Sequence, residues 1–380
     1  MLLIRIFADM KTTRFFILLA FCLLPLSLSA GDKMDKLGYE YDYTDASTLC
    51  IVNKLMPTEN VWHRIDTGIY GASMNKRQKQ LSRSSTGLAV CFETDSPLIG
   101  VKVNFSRASD AICGSSPINV RGFDLYLEKD GEWLWAGSDT SACRNNVDQR
   151  VLLLKAAGSG MKKCLLYLPL YSELNSLEVV TVKGSEIRGA DAGFKGRIAV
   201  FGSSFTNGSG CSRPGLAYPA QLARMTGYNI INVGMSGNSK LQDYFARALA
   251  DAPDIDAYLF DAFSNPSPAQ IKERLFPFIE LIRETKPGVP LVFLKSVYRE
   301  QRNFDSSAVE RELARMNVAD SLMRIAVKKY PDVYWIDCTK TVDGTHEWTT
   351  DGIHPDDYGY FLFAKSVKKP VSRILRRYVK

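Results

Sequence analysis

A serine, a histidine and an aspartate in the second half of the chain could together carry out nucleophilic chemistry. Ser204 follows an apolar run and a glycine, so it can lie on a sharp turn with its hydroxyl exposed and a backbone N–H beside it. Asp351 and His354 share a segment in which Pro355 disfavours a helical conformation at His354. The carboxylate can then fold back onto the imidazole, whose other nitrogen takes the serine proton. This pattern predicts acyl transfer.

Two further loops carry groups that could stabilise the negative oxygen of a tetrahedral intermediate. Gly237 follows the strand-like run 229–233, and Asn265 follows the run 257–260. The backbone N–H of Gly237 and the side-chain amide of Asn265 could complete an oxyanion hole, in which one well-aimed donor lowers the barrier by about 3 kcal/mol. Each segment alone also fits an ordinary turn between a strand and a helix. The prediction therefore depends on their convergence with Ser204.

Other chemistries fit the same residues less well. Asp351 and His354 have a spacing that a metal pair could use, but His63 and His346 bring no evident ligand set. His346 is also the alternative general base, because it lies only eight residues before His354. A glycine and serine loop after a strand can bind phosphate, but no Gly-Lys-Ser/Thr follows Ser204. We therefore expect neither a metal ion nor another cofactor.

The spacing of apolar runs after residue 195 predicts alternating strands and helices. Strands are expected at 197–201, 229–233, 257–260, 290–294 and 333–336, and helices at 217–225, 241–249, 269–284, 308–329 and 358–378. This alternation is typical of α/β proteins, in which helices cover both faces of a parallel sheet. Reactive groups gather in the loops at the carboxyl ends of such strands. The loops that carry the candidate residues should therefore meet.

The first half of the chain has a different pattern. Short runs of β-forming residues separated by turn residues occur at 87–93, 98–105, 123–128, 151–154 and 163–168. Such spacing is typical of a β-sandwich. Because 380 residues exceed what one hydrophobic core usually serves, we expect two domains, a β-sandwich at 35–190 and an α/β domain at 195–380.

The candidate residues also resemble a known family. In order and spacing, they match the four sequence blocks of the SGNH (GDSL-like) hydrolases: Gly202-Ser203-Ser204, Gly237, Asn265 and Asp351-Gly352-Ile353-His354-Pro355. The resemblance covers about 185 residues, from near 195 to the end. It implies a three-layer, flavodoxin-like α/β domain. It also implies that the serine is the nucleophile, that the glycine and asparagine belong to the oxyanion hole, and that the Asp-x-x-His loop supplies the acid and base.

The chain departs from the family pattern in two blocks. Gly202-Ser203-Ser204 stands where the family has Gly-Asp-Ser, and Phe263-Ser264-Asn265-Pro266 stands where it has Gly-x-Asn-Asp. A second resemblance lies in the first half, where Gly122-Phe123-Asp124-Leu125-Tyr126 is similar to the GxDLY motif of the β-rich domain that often precedes such hydrolases. This resemblance leaves open whether the first domain binds carbohydrate, shapes the active-site mouth or supports the catalytic domain.

The first 30 residues have the order of a secretory signal peptide. Lys11 and Arg14 precede the apolar run 15–26, and small residues end at Ala30, after which we expect cleavage. The apolar run is shorter than the roughly 20 residues that span a membrane. A lipoprotein anchor at Cys22 is the alternative, although a phenylalanine precedes that cysteine. We expect a secreted or periplasmic protein without stable membrane insertion.

Charge and cysteine content exclude some partners and leave others open. The formal net charge of +7 is mild for 380 residues, and the lysines are scattered, so nucleic acid is not an expected partner. Eight cysteines leave seven once Cys22 is removed with the leader. Cys113 and Cys143 flank a plausible hairpin and could pair, but an odd number leaves at least one cysteine unpaired. The pattern does not indicate an oligomeric state.

These features together predict a secreted serine esterase that acts on a small-molecule or polysaccharide ester. Deacetylation of a carbohydrate is the favoured reaction, because a secreted location and a β-sandwich partner suit an extracellular polysaccharide. A lipid esterase or lysophospholipase would use the same residues. A non-catalytic glycan-binding protein on a hydrolase scaffold is a further alternative.

Overall fold

The computed structural model describes residues 34–110, 112, 114–140, 142, 147–339 and 344–379. The expected signal peptide, residues 1–30, and the possible pair Cys113 and Cys143 lie outside the described residues. The β-sheets all belong to one compact unit, Glu40–Lys380. Within the described ranges, no helix is both long enough and apolar enough to cross a membrane.

Antiparallel strands build the first half of this unit. They are β1 (Tyr41–Asp45), β2 (Cys50–Val52), β3 (Ala89–Thr94), β4 (Ile99–Arg107), β5 (Asp124–Lys129), β6 (Glu132–Ser138), β7 (Asp148–Leu154), β8 (Lys162–Tyr167), β9 (Glu173–Val182) and β10 (Ile187–Gly189). One sheet has the order β1-β9-β4-β7. The other has the order β10-β3-β8-β5-β6, and β2 also pairs with β3.

A shared core joins these two sheets. Inward-facing residues of β3 and β4, among them Phe92, Val101 and Val103, are buried in one cluster with Leu125 of β5 and Val179 of β9. This is the β-sandwich that the sequence predicts. Two helices, α1 (Lys76–Arg83) and α2 (Pro117–Arg121), interrupt the strands.

Strands and helices alternate through the second half. The strands are β11 (Lys195–Gly202), β12 (Tyr228–Gly234), β13 (Ala257–Asp261), β14 (Leu291–Leu294) and β15 (Val333–Ile336). The helices are α3 (Ser204–Asn207), α4 (Tyr218–Thr226), α5 (Asp243–Asp251), α6 (Pro268–Thr285), α7 (Ser306–Lys329) and α8 (Asp357–Leu375). All strand pairs are parallel, in the order β12-β11-β13-β14-β15.

The strand order makes the end of β11 a place where a site can form. From β11 the chain moves through α4 to β12 on one side, and it then crosses back through α5 to β13 on the other. Because such crossovers are right-handed, α4 and α5 lie on opposite faces of the sheet. The crevice where the strand order reverses is the usual ligand site of such sheets. Ser204 lies two residues after the end of β11 and is therefore at this crevice.

The sequence predicts the second half better than the first. Every strand and helix expected after residue 195 is present, with ends shifted by three residues or fewer. In the first half, β1, β2, β6, β9, β10, α1 and α2 were not predicted. Strand β6 is largely exposed on both faces, whereas Val179, Val180 and Thr181 of β9 are buried consecutively, so neither strand shows a clean alternation.

The end of β12 touches the helix that carries Ser204. Gly234 packs so closely on α3 that an added Cβ would overlap the backbone nitrogen of Asn207. Nearby, Asn232 donates its side-chain N–H to the carbonyl of Thr206 at 2.7 Å. The position of α3 therefore depends on a glycine at the end of the neighbouring strand.

We expect Gly234→Ala to lower the free energy of unfolding by about 3 kcal/mol, because overpacking at this contact displaces backbone on both sides. Gly288→Ala is the matched control. Its φ of +78° is unfavourable for alanine by about 1 kcal/mol, but an added Cβ there meets no atom within 4 Å. Urea unfolding measures both losses, and equal losses in the two variants would contradict the close contact.

Candidate active site

Ser204, His354 and Asp351 form one chain of hydrogen bonds. Ser204 Oγ lies 2.8 Å from His354 Nε2, and His354 Nδ1 lies 2.8 Å from Asp351 Oδ2. Because a carboxylate only accepts hydrogen bonds, the imidazole proton belongs on Nδ1, which leaves Nε2 free to accept from the serine hydroxyl. The structure thus brings together the three residues that the sequence predicts as nucleophile, base and acid.

The loop from 348 to 356 orients this histidine through its backbone. Asp351 Oδ1 accepts the N–H groups of Ile353 at 3.0 Å and His354 at 2.7 Å. Burial opposes the charge of Asp351, but the hydrogen bonds from the His354 backbone and imidazole outweigh it and lower the pKa of this carboxyl below its usual value. Gly352, at a φ of +81°, accepts the Gln301 N–H at 2.9 Å, so the chain after β14 supports the loop.

The nucleophile turn is held by a buried carboxylate that sequence reasoning missed. Asp261, the last residue of β13, accepts the Ser203 hydroxyl at 2.7 Å and the Ser203 N–H at 3.2 Å. The hydroxyl of Thr206 adds a third donor at 3.2 Å. Burial raises the pKa of Asp261, and the hydrogen bonds from Ser203 oppose that rise. Ser203 stands at the position where the family has an aspartate. Its hydroxyl donates to a carboxylate on the adjacent strand instead.

The two predicted oxyanion-hole residues lie on loops that contact each other. Asn265 Oδ1 accepts from the hydroxyl of Ser239 at 3.0 Å, which fixes the amide plane and leaves Nδ2 as its donor. Gly237 has a φ of +72° in an exposed turn closed by a 2.7 Å bond from Asn238 N–H to the carbonyl of Met235. An added Cβ at Gly237 would meet no atom within 4 Å, so the surface above this turn is open.

The other two histidines have carboxylate partners elsewhere. His346 Nδ1 lies 2.8 Å from Glu300 Oε2, and Glu300 Oε1 also accepts the indole N–H of Trp348 at 2.6 Å. His63 Nε2 lies 3.1 Å from Glu173. The alternative base His346 is therefore held on Glu300 rather than on Ser204. In the described ranges, no group of three His, Cys, Asp or Glu side chains is arranged to hold a metal ion.

A buried arginine from the first half supports the end of β12. Arg64 donates from Nη1 to the carbonyls of Asn232 at 3.1 Å and Gly234 at 3.0 Å, and from Nε to the carbonyl of Ser84 at 3.2 Å. The residue is 1% exposed, and burial lowers its pKa. Gln78 of α1 adds a 3.4 Å bond to the carbonyl of Asn238. The sequence showed no signal for these contacts, because backbone carbonyls can pair with any donor.

Comparisons with known proteins agree with this architecture. Residues 195–372 match the model of the GDSL-like lipase/acylhydrolase family, and residues 41–187 match the model of the GxDLY domain, the N-terminus of SGNH hydrolase-type esterases. A protein from Bacteroides ovatus described as a GDSL-like lipase has a solved structure that is 36% identical in sequence. The match covers 90% of this chain and 99% of that chain, with a TM-score of 0.84. No curated protein matches the sequence.

More distant structures share the fold. A salicylyl-acyltransferase from a tetracycline biosynthetic pathway is 20% identical, with coverage of 88% and 97% and a TM-score of 0.66. A family two carbohydrate esterase from Cellvibrio japonicus is 10% identical, with coverage of 89% and 98% and a TM-score of 0.57. The expected α/β hydrolase domain behind a β-sandwich is therefore confirmed. The chain belongs to the GDSL-like lipase and acylhydrolase family and is a serine ester hydrolase of the SGNH type.

Proposed function

We propose that Ser204 is the nucleophile of this esterase and that His354 and Asp351 activate it. The unbroken chain of hydrogen bonds from Ser204 through His354 to Asp351 carries this proposal. His354 Nε2 takes the hydroxyl proton while Oγ bonds to the ester carbonyl carbon. The imidazolium then gives that proton to the departing alkoxide, which leaves as the alcohol. Water, deprotonated by the same nitrogen, attacks the acyl-serine, and the proton passes to Ser204 Oγ as the bond to the acyl group breaks and the acid leaves.

Three donors are available for the oxyanion. They are the backbone N–H of Ser204 at the first position of α3, the N–H of Gly237 and the Nδ2 group of Asn265. The first N–H groups of a helix have no partner within the helix, so the Ser204 amide is available to a ligand. The hydrogen bond of Ser239 to Asn265 Oδ1 supports the assignment of Nδ2 as a fixed donor. Fixed donors are effective because they need not reorganise when charge develops.

An acetylated carbohydrate is the substrate that we favour. A cavity of about 630 Å³ borders the Gly237 turn. Polar side chains line part of it, among them Asn75, Gln78, Asn238 and Gln242, and Leu241, Pro277, Phe278 and Leu281 form an apolar part. The amide side chains of this surface can form hydrogen bonds with the hydroxyl groups of a sugar. A carbohydrate esterase from Cellvibrio japonicus shares the fold, and the expected signal peptide suits a substrate outside the cell.

We expect Ser204→Ala and His354→Ala each to lower kcat for p-nitrophenyl acetate at least about 1,000-fold while circular dichroism shows a folded protein. His346→Ala is the matched control, because that imidazole rests on Glu300, and it should retain nearly all the activity. Full activity of the Ser204 variant, or equal losses in the two histidine variants, would contradict the assignment.

The depressed pKa of Asp351 predicts a pH-dependent contribution to stability. Its charged form is favoured in the folded chain, so its contribution is present above the unfolded pKa of about 3.9 and is lost as the pH falls through the lower native value. Because the carboxylate is partly exposed, we expect Asp351→Asn to lower the free energy of unfolding near pH 7 by no more than about 1 kcal/mol. Urea unfolding from pH 7 to pH 3 should show this difference narrowing in acid. A difference that is independent of pH would refute the prediction.

Substrate class can be tested with two series of esters. Against p-nitrophenyl esters of increasing acyl length, we expect kcat/KM to be highest for acetate and to fall at least about 10-fold by octanoate. A panel of acetylated polysaccharides should yield acetate with the wild type and none with Ser204→Ala. A preference for long acyl chains together with no acetate release would indicate a lipid esterase instead.

A further inference from the structure

The GxDLY segment places alternate side chains on opposite faces of β5. Phe123 and Leu125 are buried in the core of the β-sandwich. Asp124 and Tyr126 face the other way, toward the α/β half. Gly122 is the C-cap of α2, and an added Cβ there would lie 2.8 Å from the backbone of Ile118, so the glycine allows the chain to turn tightly from α2 into the strand. Alternate side chains of the motif thus pack in the sandwich core and contact the catalytic domain.

Asp124 is a buried carboxylate whose partners all lie in one loop of the catalytic half. Both of its oxygens accept from Arg213 Nη1, at 2.9 and 2.7 Å, and Oδ2 also accepts the Gly215 N–H at 2.9 Å. Its side chain is fully buried. Burial raises the pKa of Asp124, and Arg213 opposes that rise. A buried charge needs such partners, so the loop has to come to this carboxylate.

Tyr126 completes the same contact. Its hydroxyl accepts from Arg213 Nη1 at 2.7 Å, and its ring lies 4.2 Å from the guanidinium carbon of Arg224. Arg224 in turn donates to the carbonyl of Gly215 at 2.7 Å. At Gly215 an added Cβ would lie 2.6 Å from both Asp124 and Tyr126. The two motif side chains therefore enclose Gly215 and leave no room for a side chain there.

The loop that these residues hold, 208–215, lies next to both segments of the candidate site. It begins directly after α3, the helix that carries Ser204. Ser212 donates from its N–H at 2.7 Å and from its hydroxyl at 2.6 Å to Asp357, which begins α8 just after the His354 loop. Gly210 packs against the carbonyl of Pro355. A shift of this loop would therefore move Ser204 and His354 relative to each other.

We propose that Asp124 and Tyr126 are positioning residues for hydrolysis: they hold loop 208–215 so that Ser204 and His354 stay within hydrogen-bond distance. Asn119 of α2 adds to this action, with Nδ2 donating to the carbonyls of Gly208 at 2.7 Å and Cys211 at 2.8 Å. The β-rich half is then part of the catalytic unit. This inference rests on the proposed role of Ser204.

The test compares Asp124→Asn and Tyr126→Phe with Glu93→Gln. Asp124→Asn keeps the shape but loses the charge that pairs with Arg213, and Tyr126→Phe loses only the hydroxyl. Glu93 is the matched control, because it pairs with Arg188 at 2.8 and 3.1 Å between β3 and β10 and does not contact the loop. For each variant, kcat and KM for p-nitrophenyl acetate, the rate constant of labelling by a fluorophosphonate probe and the melting temperature are measured.

We expect Asp124→Asn to lower kcat and the labelling rate about 10- to 100-fold with KM within twofold, since small misplacements of reacting groups have effects of this size. Tyr126→Phe should lower both about threefold or more, and Glu93→Gln should change neither.

If the folded Asp124→Asn protein keeps kcat and labelling within twofold while its melting temperature falls, the contact is only structural. If that variant does not fold, unchanged kcat and labelling in Tyr126→Phe overturn the proposal. Failure of the probe to label Ser204 in the wild type would instead refute the proposed nucleophile.

Discussion

The hydrogen bond between Ser204 and His354 depends on the packing of the two ends of the α/β half against each other. Ser204 follows the first strand of the parallel sheet, and His354 precedes its last helix, so 150 residues separate the partners. Helices α4 and α8 pack together, and Tyr360 of α8 donates its hydroxyl to the carbonyl of Ser209 at 2.7 Å. No local piece of chain could make this bond. The candidate site therefore exists only once the sheet and its helices are assembled.

The candidate site also depends on the β-rich half, which packs against the α/β half. Its contacts with the catalytic half combine a shared apolar core, to which Leu55 and Ile65 belong, with buried polar groups such as Arg64 and Asp124. Buried polar groups stabilise an interface only when each finds a partner of fixed geometry. Such an interface is specific about distance and angle, whereas apolar contacts tolerate sliding. This property suits a β-rich half that contacts the loops of the candidate site in the α/β half.

Much of the α/β half was predictable from sequence because its signals are local. Apolar strands, helix lengths and the loops after each strand follow from periodicity, and Asp351 and His354 lie close enough in sequence to suggest their pairing. The supporting contacts were not predictable in the same way. Ser203 and Asp261 are 58 residues apart, and Asp124 and Gly215 are 91 apart. The residues around Asp261 and Asp124 do not indicate which donors these carboxylates bind. A buried acid in a sequence can be assigned a role only when its hydrogen-bond donor is known.

The departures from the family blocks also have a physical interpretation. The serine at 203 caps α3 and donates to Asp261, so the turn keeps a fixed carboxylate contact although the first block has no aspartate. Near Asn265, the carbonyl of Ser264 accepts from Arg315 of α7, and Ser239 holds the Asn265 amide. Local support of these two loops thus comes from neighbouring strands and helices.

Mapping the site of covalent modification tests the central role of Ser204 most directly. The wild-type protein would be inactivated with a fluorophosphonate, digested, and analysed by tandem mass spectrometry. We predict a single phosphonyl group on Ser204, with the extent of modification matching the loss of activity. Complete inactivation with Ser204 unmodified, or with the adduct on another residue, would contradict the proposed mechanism.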